Sequence, residues 1–270
     1  CFKTRILNRE SCMKLFNFTT LTAIGLLSSS LLAMPAFSAS FDCGKASTWI
    51  EKTVCSNSEL SQLDENMAKK YKAELASADN EDYSQNHRVI TKNAQRQWLK
   101  FQRNTCQSEA CLIREYQEYL GKKSLNGVTW GDAESLSASE LPNKTAFGKF
   151  ATTVNISMYN PDTQRWEDTG KITNAVSIHK VSDKPYLAII DGDLIFTNAH
   201  SCSLDNEKAM WSENHWVLND YQAGKTVELR LYPAIYQGKA QLLFKDINND
   251  YRESRCGMRG YFDGIVMDNK

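Results

Sequence analysis

The chain has 270 residues, with 32 Lys plus Arg against 32 Asp plus Glu, 41% hydrophobic residues and eight cysteines. A balanced charge with no basic block excludes a nucleic-acid binder of the usual kind, whose affinity rests on neutralising phosphates. The cysteines and His87, His179, His200 and His215 lack the close spacings of a zinc site, so no metal and no cofactor is expected.

From Met13 the sequence reads MKLFNFTTLTAIGLLSSSLLAMPAFSAS: one lysine, an apolar run from Leu21 to Met34, the breaker Pro35, then small residues. This is the pattern of a secretory signal peptide, with cleavage expected before Ala39 or, as second choice, before Ser40. The apolar run is shorter than the roughly 20 residues that cross a bilayer. Residues 1–12 precede the start methionine, so Cys1 and Cys12 are set aside. Asp42 and Phe41 precede Cys43 where a lipidation site takes small or polar residues, which argues against a lipid anchor. The expected location is periplasmic or secreted, with no stable membrane anchor after cleavage. Removal of residues 1–38 takes away four basic side chains and one acidic one, leaving 28 against 31.

Six cysteines remain, an even number in a chain bound for an oxidising space, and they read as three disulfides. Cys202 and Cys256 lie far from the rest and are each other's natural partners. Among Cys43, Cys55, Cys106 and Cys111 local pairing is preferred, 43 with 55 and 106 with 111. Crossed pairing stays open, because the sequence does not choose among three connectivities.

The pattern from Cys43 to Leu120 is helical. After a small amphipathic segment, Ser56 and Glu59 read as a capping box, and Leu60, Leu63, Met67, Tyr71 and Leu75 form one stripe. A second helix is expected over about 82–103, with Ile90, Ala94, Trp98 and Phe101 on one face. A third starts near Ser108, buries Leu112, Tyr116 and Leu120, and stops at Gly121.

Asp42-Cys43, Ala46, Glu51-Lys52, Cys55, Leu60, Leu63-Asp64, Tyr71, Gln95-Arg96, Trp98-Leu99, Arg103, Cys106, Cys111-Leu112 and Tyr116, in this order and spacing, resemble the N-terminal domain of the LprI-type lysozyme inhibitors over about residues 41–122. The resemblance implies a helical envelope module named for a member that blocks lysozyme. Trp98, Tyr71 and Tyr116 read as core; Asp64 and Arg96 read as an ion pair or a partner contact.

Residues 123–146, rich in Gly, Ser, Asn and Pro, read as a linker with a helical turn near Ala133–Leu141. Beyond it the pattern is of strands: FATTVNISMYN, KITNAVSIHKV, a hairpin of YLAIID and LIFTN about Gly192-Asp193, then HWVLND, TVELRLYP, AQLLFKD and GYFDGIVM. The fold class is therefore α+β, a small disulfide-linked helical domain (39–122) followed by an antiparallel β-barrel or β-sandwich (147–270).

No nucleophile elbow, zinc-protease motif or phosphate loop is present, and three disulfides leave no free thiol, so no enzyme is expected. Asp246 to Asp250 begins like a calcium loop but lacks its glycine and closing glutamate. Trp211, His215 and Trp216 read as core before they read as a saccharide platform. The candidate partner-binding residues are Arg255, Arg259 and Tyr261, on a loop with Gly257 and Gly260 whose base Cys256 anchors. Guanidinium donors there suit the paired carboxylates of a glycosidase cleft. The expected function is inhibition of lysozyme or another peptidoglycan hydrolase, possible also as immunity to a rival's toxin. The alternative is a non-inhibitory binding or scaffold module of the envelope.

Overall fold

The computed structural model describes residues 39–78 and 84–270. The segment expected to be a signal peptide, Cys1, Cys12 and the expected start of the second helix at Asp82 lie outside the described residues.

Helix α1 (Trp49–Ser56) opens with Thr48 accepting from the Glu51 N–H at 3.2 Å while the Glu51 carboxylate accepts from the Thr48 and Ser47 N–H groups. Those bonds, that to Thr48 first, hold the exposed Glu51 carboxyl down at about 2. This is where the capping box lies. The one expected at Ser56 and Glu59 does not form, because Ser56 is still helical and its hydroxyl turns back to the Thr53 carbonyl. Asn57 starts α2 (Ser58–Ala78) instead, its side chain accepting from Leu60 N–H at 3.1 Å.

Helix α3 (Ser84–Gln97) passes into a π-helical turn, Trp98–Gln102, and a 3-10 turn, Arg103–Thr105. An extra residue in a turn re-phases the side chains that follow it. Trp98 thus points into the helical core, 5.1 Å from Tyr116 and 4.7 Å from Tyr119, while Phe101 packs with Tyr232, Ala234 and Leu243 of the barrel. The single face expected for Ile90, Ala94, Trp98 and Phe101 is not formed; Ile90 is 62% exposed. Helix α4 (Glu109–Tyr119) is capped by Ser108, buries Leu112 and Tyr116, and gives way to Gly121 at φ 103°. Asp64 does not pair with Arg96. Its carboxylate, fully buried, accepts from Tyr116 Oη and Ser40 N, both at 2.7 Å, with Arg103 3.8 Å away. Disulfides join Cys43 to Cys55, Cys106 to Cys111 and Cys202 to Cys256.

Eight antiparallel strands follow in chain order and close into a barrel. They are β1 (Gly148–Asn160), β2 (Arg165–Lys180), β3 (Leu187–Ile195), β4 (Ser201–Ser212), β5 (His215–Gln222), β6 (Lys225–Tyr236), β7 (Lys239–Asp246) and β8 (Val266–Asn269). The interior is packed by side chains such as Phe150, Ile190, Trp216, Leu229, Phe244 and Phe262.

Two strand expectations are corrected. Gly192-Asp193 is no hairpin tip but lies within β3, where the register to β4 shifts between Ile190 and Gly192. A Cβ on Gly192 would sit 2.5 Å from the Ala175 carbonyl oxygen, so the residue permits close approach to β2 rather than a turn. Of GYFDGIVM only Val266 onward is strand; Phe262 fills the barrel instead, stacked 6.3 Å from Phe244.

Segment 123–146 carries helix α5 (Trp130–Glu134), capped by Thr129 and Asp132, and packs against the barrel core through Ala133, Leu136, Leu141 and Ala146. Its carbonyls satisfy the two indoles that line the barrel there: Trp211 Nε1 donates to Glu140 O at 2.8 Å and Trp216 Nε1 to Ala146 O at 2.9 Å. Both tryptophans and His215 are buried, which makes them core.

The helices cover the outer face of β6 and β7, and the described residues belong to one compact unit. Arg230, fully buried, donates through Nη1 to both Glu118 carboxylate oxygens at 2.8 and 3.0 Å, through Nε to Glu228, and through Nη2 to Ser124 O at 2.7 Å. Burial disfavours its charge, but Tyr232, Glu118 and Glu228 together outweigh that and raise its pKa. Beside it Arg114 pairs with Glu213 and Glu115, Tyr232 Oη donates to Glu115 at 3.1 Å, and Asn214 Nδ2 donates to Gln102 O at 3.2 Å. Burial, then Arg114 and Arg230, hold His215 neutral, its pKa well below the usual value.

Candidate functional site: a disulfide-held loop and its aromatic rim

The loop from Arg255 to Gly264 is fastened at both ends. At its start Ser203 N–H donates to Arg255 O at 3.1 Å and Gly257 N–H to Ser201 O at 2.8 Å, so residues 255–257 run along β4 beside the Cys202–Cys256 bond. At its end Phe262 is sunk in the barrel, and Asp263 accepts from Asp246 N–H at 3.2 Å with Lys245 Nζ also 3.2 Å away. Gly260 passes directly over the disulfide. A Cβ there would meet Cys202 Sγ at 2.6 Å and Cys256 Cβ at 3.0 Å, so any side chain would push the loop off its anchor.

Arg255 faces inward. Strands β4 and β5 share only three register pairs, Met210–Val217 to Ser212–His215, and diverge beyond them. The Arg255 guanidinium bridges that divergence, Nε donating to Glu207 on β4 and Nη1 to Asp220 on β5, both at 2.8 Å, over the Tyr251 ring at 4.4 Å. Arg255 lowers the Asp220 pKa by the hydrogen bond it donates.

Arg259 and Tyr261 face outward. Arg259 lies over the Trp166 ring at 4.7 Å and makes no ion pair among the described residues; Asp263 is taken by Lys245 and the Asp246 main chain. Trp166 in turn meets Tyr159 edge-on at 5.5 Å across the β1–β2 hairpin, and Tyr261 leans on Phe196 at 4.7 Å. The side chain of Asn198, at φ 60°, accepts from Tyr159 N–H at 2.8 Å and ties the turn after β3 to the same rim. Tyr159, Trp166 and Tyr261 are 43–47% exposed and Met258 is 84% exposed. The result is an aromatic and thioether surface carrying a guanidinium with no ion pair among the described residues, the composition of a protein-recognition surface.

The sequence singles out Arg259 and Tyr261 as candidates but not Tyr159, Trp166, Phe196 or Asn198, which reach the loop only through barrel closure. Their sole signal was the aromatic pair flanking the Asn160-Pro161-Asp162 turn. No group of three His, Cys, Asp or Glu residues among the described residues is arranged to hold a metal ion, and no described helix is long and apolar enough to cross a membrane. The Asp246 carboxylate, where the calcium-like run begins, is capped by Tyr251 and Arg252 N–H groups, and burial pushes it up to about 6.

Residues 43–141 match the family model described as lysozyme inhibitor LprI. That match takes in α1 to α5 and the segment lying on the barrel, and leaves β1 to β8 outside it. No curated protein and no solved structure matches the chain.

Proposed function

We propose that this LprI-type chain, a helical module carried on a β-barrel, is a non-enzymatic envelope protein, periplasmic or secreted, that inhibits lysozyme or another peptidoglycan hydrolase. The observation that carries the reading is the family match over residues 43–141. The rim gives it a mechanism. A glycoside hydrolase cleft is built around two carboxylates, and Arg259, held over Trp166 and free of any acidic partner, is a donor that can enter such a cleft on a rigid support. Tyr261, Trp166 and Met258 supply the apolar contact around it. Arg255 serves the same interface from behind, by holding the loop base to β4 and β5. A division of labour follows: the loop scaffold spends its hydrogen bonds internally, and only the outer residues meet the target.

The test is a cell-wall clearing assay in which the purified protein is titrated against lysozyme and against bacterial lytic enzymes. Dose-dependent loss of lysis is expected, weakened by Arg259→Ala. Full lytic activity of every hydrolase at saturating protein would sink the inhibitor reading and leave the binding or scaffold role in its place.

A further inference from the structure

The seam between helices and barrel is filled at its centre and opens at its edge. Around Phe101, Tyr232 and Arg230 side chains fill it, and Arg230 is bonded to Glu118. On the other side of the same helical turn it widens into a cleft of about 900 Å3 between α3 with its π-helical continuation and the outer ends of β6 and β7. Sites for small molecules commonly measure roughly 300–1,000 Å3.

The lining is chemically one-sided. It contains Arg96 and Lys100 and not one Asp or Glu. Neither cation has an ion pair among the described residues: Arg96 has only a 3.4 Å bond to Asn93 of its own helix, and Lys100 donates to Gln241 and lies over the Tyr236 ring at 4.0 Å. Asp268, whose charge acts on Lys100, accepts a hydrogen bond from Gln241. The remaining polar lining is carboxamide, with the hydroxyls of Thr105 and Thr145 beside it. Gln97 and Gln107 make no side-chain hydrogen bond among the described residues, and the amide nitrogens of Asn93, Asn104 and Asn143 donate to nothing there. Tyr236, half exposed, lines the same cleft, with Lys100 over one face of its ring.

We infer that the cleft between α3 and β6–β7 binds an acidic saccharide, a sugar chain that carries a carboxylate. A carboxamide has both donors and acceptors at fixed spacing, which matches neighbouring sugar hydroxyls and N-acetyl groups. An aromatic face covers the apolar side of a pyranose ring. Arg96 and Lys100 receive the carboxylate in charge-assisted hydrogen bonds. An extended acidic peptide would use the two cations but leave most of the amide row and the ring unused. The site lies on the helix–barrel seam, apart from the aromatic rim, and needs no inhibitory activity to operate.

The test is isothermal titration of the purified protein with three probes: the disaccharide of N-acetylglucosamine and N-acetylmuramic acid, neutral N,N′-diacetylchitobiose (chitobiose below), and tetraglutamate. Saturable binding of the first is expected, with each of the other two at least tenfold weaker. Arg96→Ala with Lys100→Ala, and separately Tyr236→Ala, should each weaken the disaccharide at least tenfold at unchanged melting temperature. Arg96→Ala alone, at an exposed position, serves if the double variant does not fold. Absence of saturable binding, affinity unaltered in the variants, or equal binding of chitobiose or tetraglutamate would overturn the assignment. Because no hydrolase is present in the titration, its failure is separable from failure of the inhibitor reading.

Discussion

Arg255 and Arg259 stand four residues apart on one loop and have opposite fates. Arg255 spends its donors on Glu207 and Asp220, so Arg255→Ala strands two partly exposed carboxylates and reopens the divergence between β4 and β5. A loss of about 1–2 kcal/mol is expected in urea unfolding, the pairs being discounted for their exposure. Arg259→Ala removes one exposed cation–π contact, worth about 0.5–1 kcal/mol. Its stability should change by no more than that, while target binding falls by about 2 kcal/mol or more if the residue sits at the interface centre. Equal effects of the two substitutions on both measurements would refute this separation. Gly192 supplies a second test at this scale. Gly192→Ala places its methyl group 2.5 Å from the Ala175 oxygen and 2.7 Å from Val176 Cγ2, and should cost about 1–3 kcal/mol through displaced backbone. Urea unfolding measures that loss, and unchanged stability of this variant would contradict the close approach of β3 to β2.

At the scale of elements, the π-helical turn is what joins helices to barrel. One continuous α-helix through residues 98–102 would leave Trp98 and Phe101 on the same side; the turn sends the first to Tyr116 and the second to Tyr232 and Leu243. Phe101→Ala should therefore destabilise the protein by about 3–5 kcal/mol, the range for a fully buried phenylalanine. Trp98→Ala should cost a similar amount from a different core. If unfolding followed by tryptophan fluorescence and by far-ultraviolet circular dichroism stays coincident in both variants, helices and barrel unfold together. Separate transitions in Phe101→Ala alone would show that Phe101 carries the coupling.

The whole molecule is held by buried charge across its seam. Truncating one member of such a network leaves the others uncompensated, commonly at about 3–5 kcal/mol. Arg230→Met should fall in that range, because Glu118 and Glu228 lose their shared partner. The same network sets a pH response. His215 has its folded pKa held well below the ordinary value, so above about pH 6.5 it is neutral in both states. As pH falls below that value the unfolded chain takes up a proton that the folded chain refuses, and stability is lost. Asp246 acts in the opposite sense. With its carboxyl up at about 6, the folded chain binds a proton before the unfolded chain does, so acidification from pH 6 towards 4 favours folding at that position. The two are separated by substitution: relative to the parent, His215→Gln should lose less stability between pH 7 and 5, and Asp246→Asn should lose more. Parallel stability–pH curves for parent and His215→Gln would contradict the assignment of His215 as the acid-sensitive group.

Several features follow from local sequence alone. Ser108 and Gly121 bound α4 because a side-chain oxygen and a residue free to adopt positive φ are local requirements. Alternation marks β1 because a strand half-buried in a barrel must alternate, and the α+β class follows from the change of period near residue 125. What the sequence leaves open depends on what covers each face. In TVELRLYP the residues Glu228, Arg230 and Tyr232 have the spacing of a solvent face, yet α4 meets Arg230 and Tyr232, Asn126 meets Glu228, and all three are buried. Ile90 has the spacing of a core residue and is exposed, because the barrel is reached only beyond the π-helical turn. Gly192 and Gly260 are equally ambiguous as letters; one admits β2 and the other a disulfide. Periodicity records which side of an element differs from the other. Only the packing of helices against a closed barrel decides which side meets water, and so which arginine anchors the seam, which bridges the strands, and which is left free for a partner.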